Sequence, residues 1–275
     1  MHNTRRRGLG ALGCIVVLLG LSAAAPAIAA EAAAYRPKAY QSGKDVVWLP
    51  THEALVEQML DMVQLTPDDY LVDLGSGDGI TVIQAARRGA LAHGIEYNPK
   101  LVDLSKRNAR EAGVADRATF VQADIFKSDF SKATVVSLFL LPELNLRLRP
   151  TLLKMKPGTR IVSNTFDMGE WKADRSVPRV RTCQDYCTAY MWTIPAQVAG
   201  TWMLGNREMQ IKQRFQMLEG TVGSGPDTQD IREARLDGAH IAFDLGGERY
   251  LGEVERDVMR GTRGDGTQWQ ATRRR

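Results

Sequence analysis

Between residues 53 and 63 the apolar side chains Leu55, Val56, Met59, Leu60 and Val63 recur at three- and four-residue intervals, the period of one helix face. Thr66-Pro67-Asp68-Asp69 reads as a turn, and residues 70–74 as a short buried strand that runs into a glycine-rich loop. An apolar stripe over 81–88 predicts a second helix. The alternation continues with a strand over 90–96, a helix over 98–112 that stops at Gly113, and strands over 118–122 and 133–140. The last of these is almost wholly apolar, as an interior parallel strand should be. A helix over 146–155, a turn at Pro157-Gly158 and a strand over 159–166 complete the series. Strand and helix alternating at this spacing imply right-handed βαβ units, and hence an α/β fold with a doubly wound, mostly parallel sheet.

Past Trp171 the pattern changes. Short runs at 190–195, 200–203, 209–218, 231–236, 240–245, 250–255 and 268–272 show partial alternation. Breaks at Asp237-Gly238, Gly246-Gly247 and Gly264-Asp265-Gly266 suit hairpins. Residues 205–275 are therefore expected to form a C-terminal antiparallel β-rich region, a small sheet or part-barrel packed on the sheet domain at 45–204.

The stretch Val72-Asp73-Leu74-Gly75-Ser76-Gly77-Asp78-Gly79 carries the chemistry. Its glycines stand at every second position between a strand and a helix, where the lack of a Cβ permits a tight turn and close approach of backbone N–H groups to a ligand. The dinucleotide pattern G-x-G-x-x-G fails: counted from Gly75 the third glycine falls on Ile80, and counted from Gly77 on Val82. An acid two positions before the first glycine would also repel a pyrophosphate, whereas it suits a ligand with a positively charged amino group.

These residues resemble the glycine-rich motif of the class I S-adenosylmethionine-dependent methyltransferases, which are Rossmann-like enzymes. The resemblance covers about residues 45–170. It implies S-adenosylmethionine as cofactor, held by Asp73, Gly75, Ser76, Gly77 and Gly79, with Glu96 on the ribose hydroxyls and Tyr97 beside it. It also implies that Asp124 bonds the adenine amino group while Ile125 packs on the adenine face. Val47-Trp48-Leu49-Pro50-Thr51 and Leu140-Leu141-Pro142-Glu143-Leu144-Asn145 are similar to a bacterial group of exported methyltransferases and, more distantly, to mitochondrial protein-lysine methyltransferases.

That similarity points to methyl transfer onto a protein lysine amine. A lysine acceptor must first lose its proton, since its reference pKa is about 10.4. A carboxylate or an apolar slot could serve, which makes Glu143 and Asn145 the catalytic candidates and Thr51 and Trp48 weaker ones lining the acceptor site. Glu143 equally suits the start of a helix. The Asn/Asp-Pro-Pro-aromatic motif of base-amine methyltransferases is replaced here by Leu141-Pro142-Glu143-Leu144. The expected partner is thus a protein or small-molecule methyl acceptor, with no nucleic acid.

Composition adds a compartment. In 275 residues, 44% hydrophobic and 25% charged, the shares are those of a globular protein. Three of the charges behind the formal +4 are Arg5, Arg6 and Arg7, followed by an apolar run from residue 9 to 25 and then Ala27-Ile28-Ala29-Ala30. A basic start, a short apolar core and small residues at a cleavage point predict a signal peptide at 1–30 and a linker at 31–44, hence export, with the periplasm as the destination such a leader serves. Retention as a membrane anchor is the alternative. Cleavage leaves Cys183 and Cys187, which pair in an oxidising compartment or share one helical turn as free thiols. No His or further Cys lies at ligand spacing, so no metal is expected. Because S-adenosylmethionine is a cytoplasmic metabolite, an exported non-catalytic S-adenosylmethionine- or nucleoside-binding protein is the competing reading.

Overall fold

The computed structural model describes His2 and residues 35–179 and 183–274. The expected leader lies outside them apart from His2. Helix α1 (Glu53–Met62) is capped by His52, whose Nδ1 accepts the Ala54 N–H at 3.2 Å. Strand β1 (Tyr70–Leu74), helix α2 (Ile80–Arg87), strand β2 (Leu91–Glu96), helix α3 (Pro99–Glu111) and strand β3 (Ala118–Gln122) follow in the expected order. Helix α3 starts where the sequence dictates, with Asn98 accepting the Lys100 N–H and Pro99 in the first turn. Strand β4 (Val135–Leu138), helix α4 (Pro142–Leu152) and strand β5 (Arg160–Asn164) come next. Helix α4 begins four residues earlier than the apolar period suggests, because Pro142 has no N–H to lose and opens the first turn.

Strands β6 (Arg175–Val177) and β7 (Ala189–Thr193) complete a seven-stranded sheet in the order β3-β2-β1-β4-β5-β7-β6. Only β7 runs against its neighbours. The pleat sorts the core between two faces. Leu71, Val135 and Val162 pack with Leu55, Val82 and Val102 of α1–α3, while Val72, Val136 and Ile161 pack with Leu148 and Leu152 of α4. The order reverses direction between β1 and β4, the crevice where doubly wound sheets bind ligands.

The C-terminal part is a closed barrel, not an open or partial one. Strands β8 (Gly200–Leu204), β9 (Arg207–Arg214), β10 (Met217–Val222), β11 (Gln229–Asp237), β12 (His240–Leu245), β13 (Glu248–Glu255), β14 (Val258–Arg263) and β15 (Gln268–Arg273) each pair antiparallel with the next, and β15 pairs back onto β8. The boundary expected at residue 204 therefore moves to before Gly200, because β8 is a barrel strand. The single run expected over 209–218 is two strands with Phe215-Gln216 between them. Trp202, Met209, Phe243, Tyr250 and Trp269 fill the interior, Phe243 stacking on its cross-strand partner Tyr250 at 4.8 Å. An eight-stranded barrel is just wide enough for its own side chains.

The β9–β10 turn docks the barrel on the sheet. The Phe215 ring stacks on Trp171 at 5.9 Å, and Gln216 Nε2 donates to Lys172 O at 2.9 Å and to Asp174 Oδ1 at 3.1 Å. No helix among the described residues is long and apolar enough to cross a membrane.

Candidate active site

A pocket opens over the C-terminal ends of β1, β2, β3 and β4, with the β1–α2 loop as its floor. Gly75, Gly77 and Gly79 all take positive φ, at 85°, 54° and 86°. At Gly77 a Cβ would stand 2.9 Å from the Trp48 indole nitrogen, so the indole can lie over the loop only because there is no side chain. Gly79 does not line the pocket. Its lack of a Cβ instead makes room for Phe120 and Ser105, which would meet one at 2.8 and 2.9 Å.

The loop's N–H groups differ from expectation. Gly75 and Ser76 donate to Ile95 O, Gly77 to Glu96 Oε2 at 3.0 Å and Gly79 to Ser76 O. These four donors hold the loop against β2 rather than standing free for a ligand. What the pocket offers is mainly acceptors: Asp73, Gly75, Ser76, Gly77, Glu96, Tyr97, Asp124 and Ile125 all line it, together with Asp78.

Asp73 ends β1 almost fully buried and faces Ser137 of β4, whose Oγ donates to Asp73 Oδ1 at 2.5 Å. Burial pushes its carboxyl up to about 7; the Ser137 hydrogen bond opposes this, and the negative charges of Glu96 and Asp78 add to it. No cation lies within ion-pair distance of it among the described residues. Burial likewise raises Asp78. Glu96 Oε1 accepts the Asn98 N–H at 2.8 Å, so one carboxylate ties the loop to the start of α3 and keeps lone pairs toward the pocket.

The third acid is already engaged. Lys44 Nζ donates to Asp124 Oδ2 at 2.9 Å and lies 4.6 Å from the centre of the Tyr97 ring. The Lys44 hydrogen bond, with the Phe126 N–H, holds the Asp124 carboxyl below its ordinary range. Lys44 belongs to a short hairpin closed by Tyr40 N–H to Trp48 O and Trp48 N–H to Gln41 O, both 2.9 Å. Residues 41–51 line the pocket, so the end of the expected linker is part of the site. Sequence reasoning misses Lys44 because a lysine in an aperiodic polar stretch carries no sign of the carboxylate eighty residues on.

The other end of the pocket is apolar. Leu140 and Leu141 follow β4, Leu144 lies on α4, and Phe139, Phe166 and Tyr186 form an aromatic corner with ring centres 5.8–6.3 Å apart. Thr51 lines the pocket too, its Oγ1 3.4 Å from Asn164 Nδ2. The two catalytic candidates do not. Glu143 is exposed in the first turn of α4, where a carboxylate complements the helix dipole. Asn145 is wholly buried behind the wall, and its Nδ2 donates to Phe166 O at 3.1 Å and Asp167 O at 3.3 Å. It positions Phe166 rather than touching what the pocket holds. Cys183 and Cys187 are joined in a disulfide across a non-helical bend, with Cα atoms 5.6 Å apart. No cluster of metal-ligating side chains occurs among the described residues.

Comparison with known proteins places this geometry. Residues 73–175 match the family described as the ANTKMT methyltransferase domain. The chain is 38% identical to a protein-lysine N-methyltransferase of Saccharolobus islandicus over 152 residues, 54% of this chain and 94% of that one. It is also 38% identical to an ATP synthase lysine N-methyltransferase of mouse, over 70% of this chain and 75% of the other. Among solved structures, an RNA methyltransferase from Salinibacter ruber in complex with S-adenosyl-L-homocysteine is 48% identical, with a TM-score of 0.51 over 55% of this chain and 96% of that chain.

Proposed function

This chain belongs to the class I S-adenosylmethionine-dependent methyltransferases, and we propose that its methyl acceptor is the amine of a lysine in a protein. The observation that carries the proposal is the identity to a protein-lysine N-methyltransferase along nearly all of that protein's length. The apolar corner of Phe139, Phe166 and Tyr186 supports it, because such surroundings disfavour an ammonium and favour the neutral, nucleophilic amine.

The residues fit the cofactor. Asp73, buried without a cation, is the natural partner for an amino-acid ammonium. Glu96 is oriented by two backbone N–H groups to accept from a diol, and Asp124 Oδ2 can accept from an adenine amino group once Lys44 yields it. The cofactor supplies an electrophilic methyl group on a sulfonium. The chain's own task is alignment and exclusion of water, and positioning of this kind can provide about 7–11 kcal/mol. No described carboxylate at the apolar end serves as a base, so the acceptor's proton leaves to solvent before the amine enters.

One observation favours a second reading, since the Salinibacter ruber relative is an RNA methyltransferase. Full-length protein incubated with methyl-labelled S-adenosylmethionine, a proteome extract and total RNA separates the two. Label in Nε-methyllysine after acid hydrolysis supports the proposal, and label confined to nucleosides refutes it. We also propose export, supported by the basic and apolar start of the chain and by a disulfide between the two cysteines that cleavage would leave. Fractionation of cells expressing the full chain, with N-terminal sequencing of the product, tests this.

A further inference from the structure

Tyr186 stands apart from the other pocket-lining residues in how it is held. It lies in the five-residue loop that the Cys183–Cys187 disulfide closes, and its φ of 55° is a conformation L-residues seldom adopt. Both cysteines are buried, at 2% and 7% exposure, while the tyrosine between them is 39% exposed and still lines the pocket. Its ring is tilted against Phe139 by 57° and against Phe166 by 52°, whereas those two rings lie within 20° of each other. The result is a corner with two roughly parallel walls and a third set across them.

Each wall is fixed from behind. Phe166 is held through its carbonyl by Ser163 Oγ at 2.7 Å and Asn145 Nδ2 at 3.1 Å, and the neighbouring Thr165 N–H donates to Thr188 O at 2.7 Å, next to Cys187. Phe139 directly follows β4. Only Tyr186 reaches the corner from a loop, and the disulfide is the covalent constraint on that loop. No carboxylate lines this end of the pocket among the described residues. An alkylammonium group arriving here would be attracted by ring faces alone, the arrangement suited to a cation that is bulky and weakly hydrated.

We propose that Tyr186, presented by the Cys183–Cys187 loop, is a specificity-determining residue that recognises an N-methylated alkylammonium side chain, the partly methylated acceptor. This rests on the reading of the acceptor as a lysine amine. A corner that retains a methylated ammonium favours repeated transfer to one nitrogen, since the intermediate stays bound between rounds once its proton is lost to solvent. The same loop makes acceptor recognition dependent on the disulfide while leaving the cofactor end alone.

The test uses the full chain and two probes in calorimetric titrations, Nε-trimethyllysine and its neutral carbon isostere. The wild type is expected to bind the cation about tenfold more tightly than the isostere, the size of effect a cation–π contact supplies. Tyr186→Ala should abolish that preference, Tyr186→Phe retain it, and Cys183→Ser/Cys187→Ser weaken it. S-adenosylmethionine affinity should be unchanged in all three, which also reports correct folding. Equal binding of the two probes by the wild type, or a preference that survives Tyr186→Ala, overturns the assignment. Binding is read without turnover, so a failure of the lysine reading appears separately, as absence of methyllysine product from the wild type.

Discussion

Asp73 and Ser137 are register partners on adjacent parallel strands, and the 2.5 Å hydrogen bond between them is the only side-chain bond to the Asp73 carboxylate among the described residues. With its carboxyl pushed up to about 7, the folded protein holds a proton that the unfolded chain, with a reference value of about 3.9, releases. The group's contribution to stability is therefore full below about 3.9 and lost as pH rises through about 7, at up to about 1.4 kcal/mol per pH unit. Melting curves of ligand-free wild type and Asp73→Asn between pH 4.5 and 8 should show this fall in the first and not in the second.

The cofactor's ammonium requires the ionised form, so S-adenosylmethionine affinity should move the other way and weaken as pH drops below about 7. Ser137→Ala removes the one hydrogen bond that opposes the upward shift. Its affinity should begin to weaken at a higher pH than that of the wild type, and calorimetric titrations across that range would reveal a superimposable profile if the bond were inert.

Lys44 must release Asp124 Oδ2 before an adenine amino group can use that oxygen. Lys44→Ala is expected to bind S-adenosylmethionine more tightly than the wild type, and Asp124→Ala more weakly. A loss of affinity in Lys44→Ala would mean that the lysine contacts the ligand rather than competing with it.

At Gly77 an alanine would carry left-handed strain of about 1–2 kcal/mol and push on the Trp48 indole. Gly77→Ala should stay folded, melt at a slightly lower temperature and lose cofactor affinity. Adding Trp48→Ala should restore part of that affinity, and its failure to do so would show that the loop backbone, not the indole, is what the Cβ disturbs.

Glu143→Ala should leave kcat and KM for the acceptor unchanged, because the side chain points to solvent outside the pocket. Asn145→Ala should cost about 1–3 kcal/mol of stability by orphaning the carbonyls of Phe166 and Asp167, and should raise the acceptor KM more than it alters cofactor affinity. Denaturant melts and steady-state kinetics on both variants check the contrast.

Most of the sheet was legible because its strands are apolar runs and its helices carry a clear stripe. The cofactor end was legible for a different reason: Asp73, Glu96 and Asp124 each sit at a strand end, where chain order alone fixes their position. The misses share a cause, which is a local signal displaced by a distant contact. The β9–β10 turn holds Phe215 at φ 56° instead of glycine or asparagine, because that ring is needed against Trp171. The β13–β14 turn likewise uses Arg256 at φ 54°. Strand β6 is three mostly exposed residues with no apolar period. Asn145 has the residue type of a catalytic group but spends its hydrogen bonds on the backbone behind the pocket, and nothing in its sequence neighbourhood distinguishes the two uses.

The pairing of β15 with β8 has a consequence for the order in which the protein is made. Every strand of the parallel sheet precedes β8, so that sheet can assemble while the barrel strands are still being synthesised. The barrel cannot, because its seam joins its first strand to its last, and until Gln268–Arg273 emerges both β8 and β14 expose an unpaired edge. A ribosome stalled shortly before residue 268 would thus display a finished sheet domain beside an open and aggregation-prone meander. The interval before closure is the point in the molecule's life at which it most needs a chaperone.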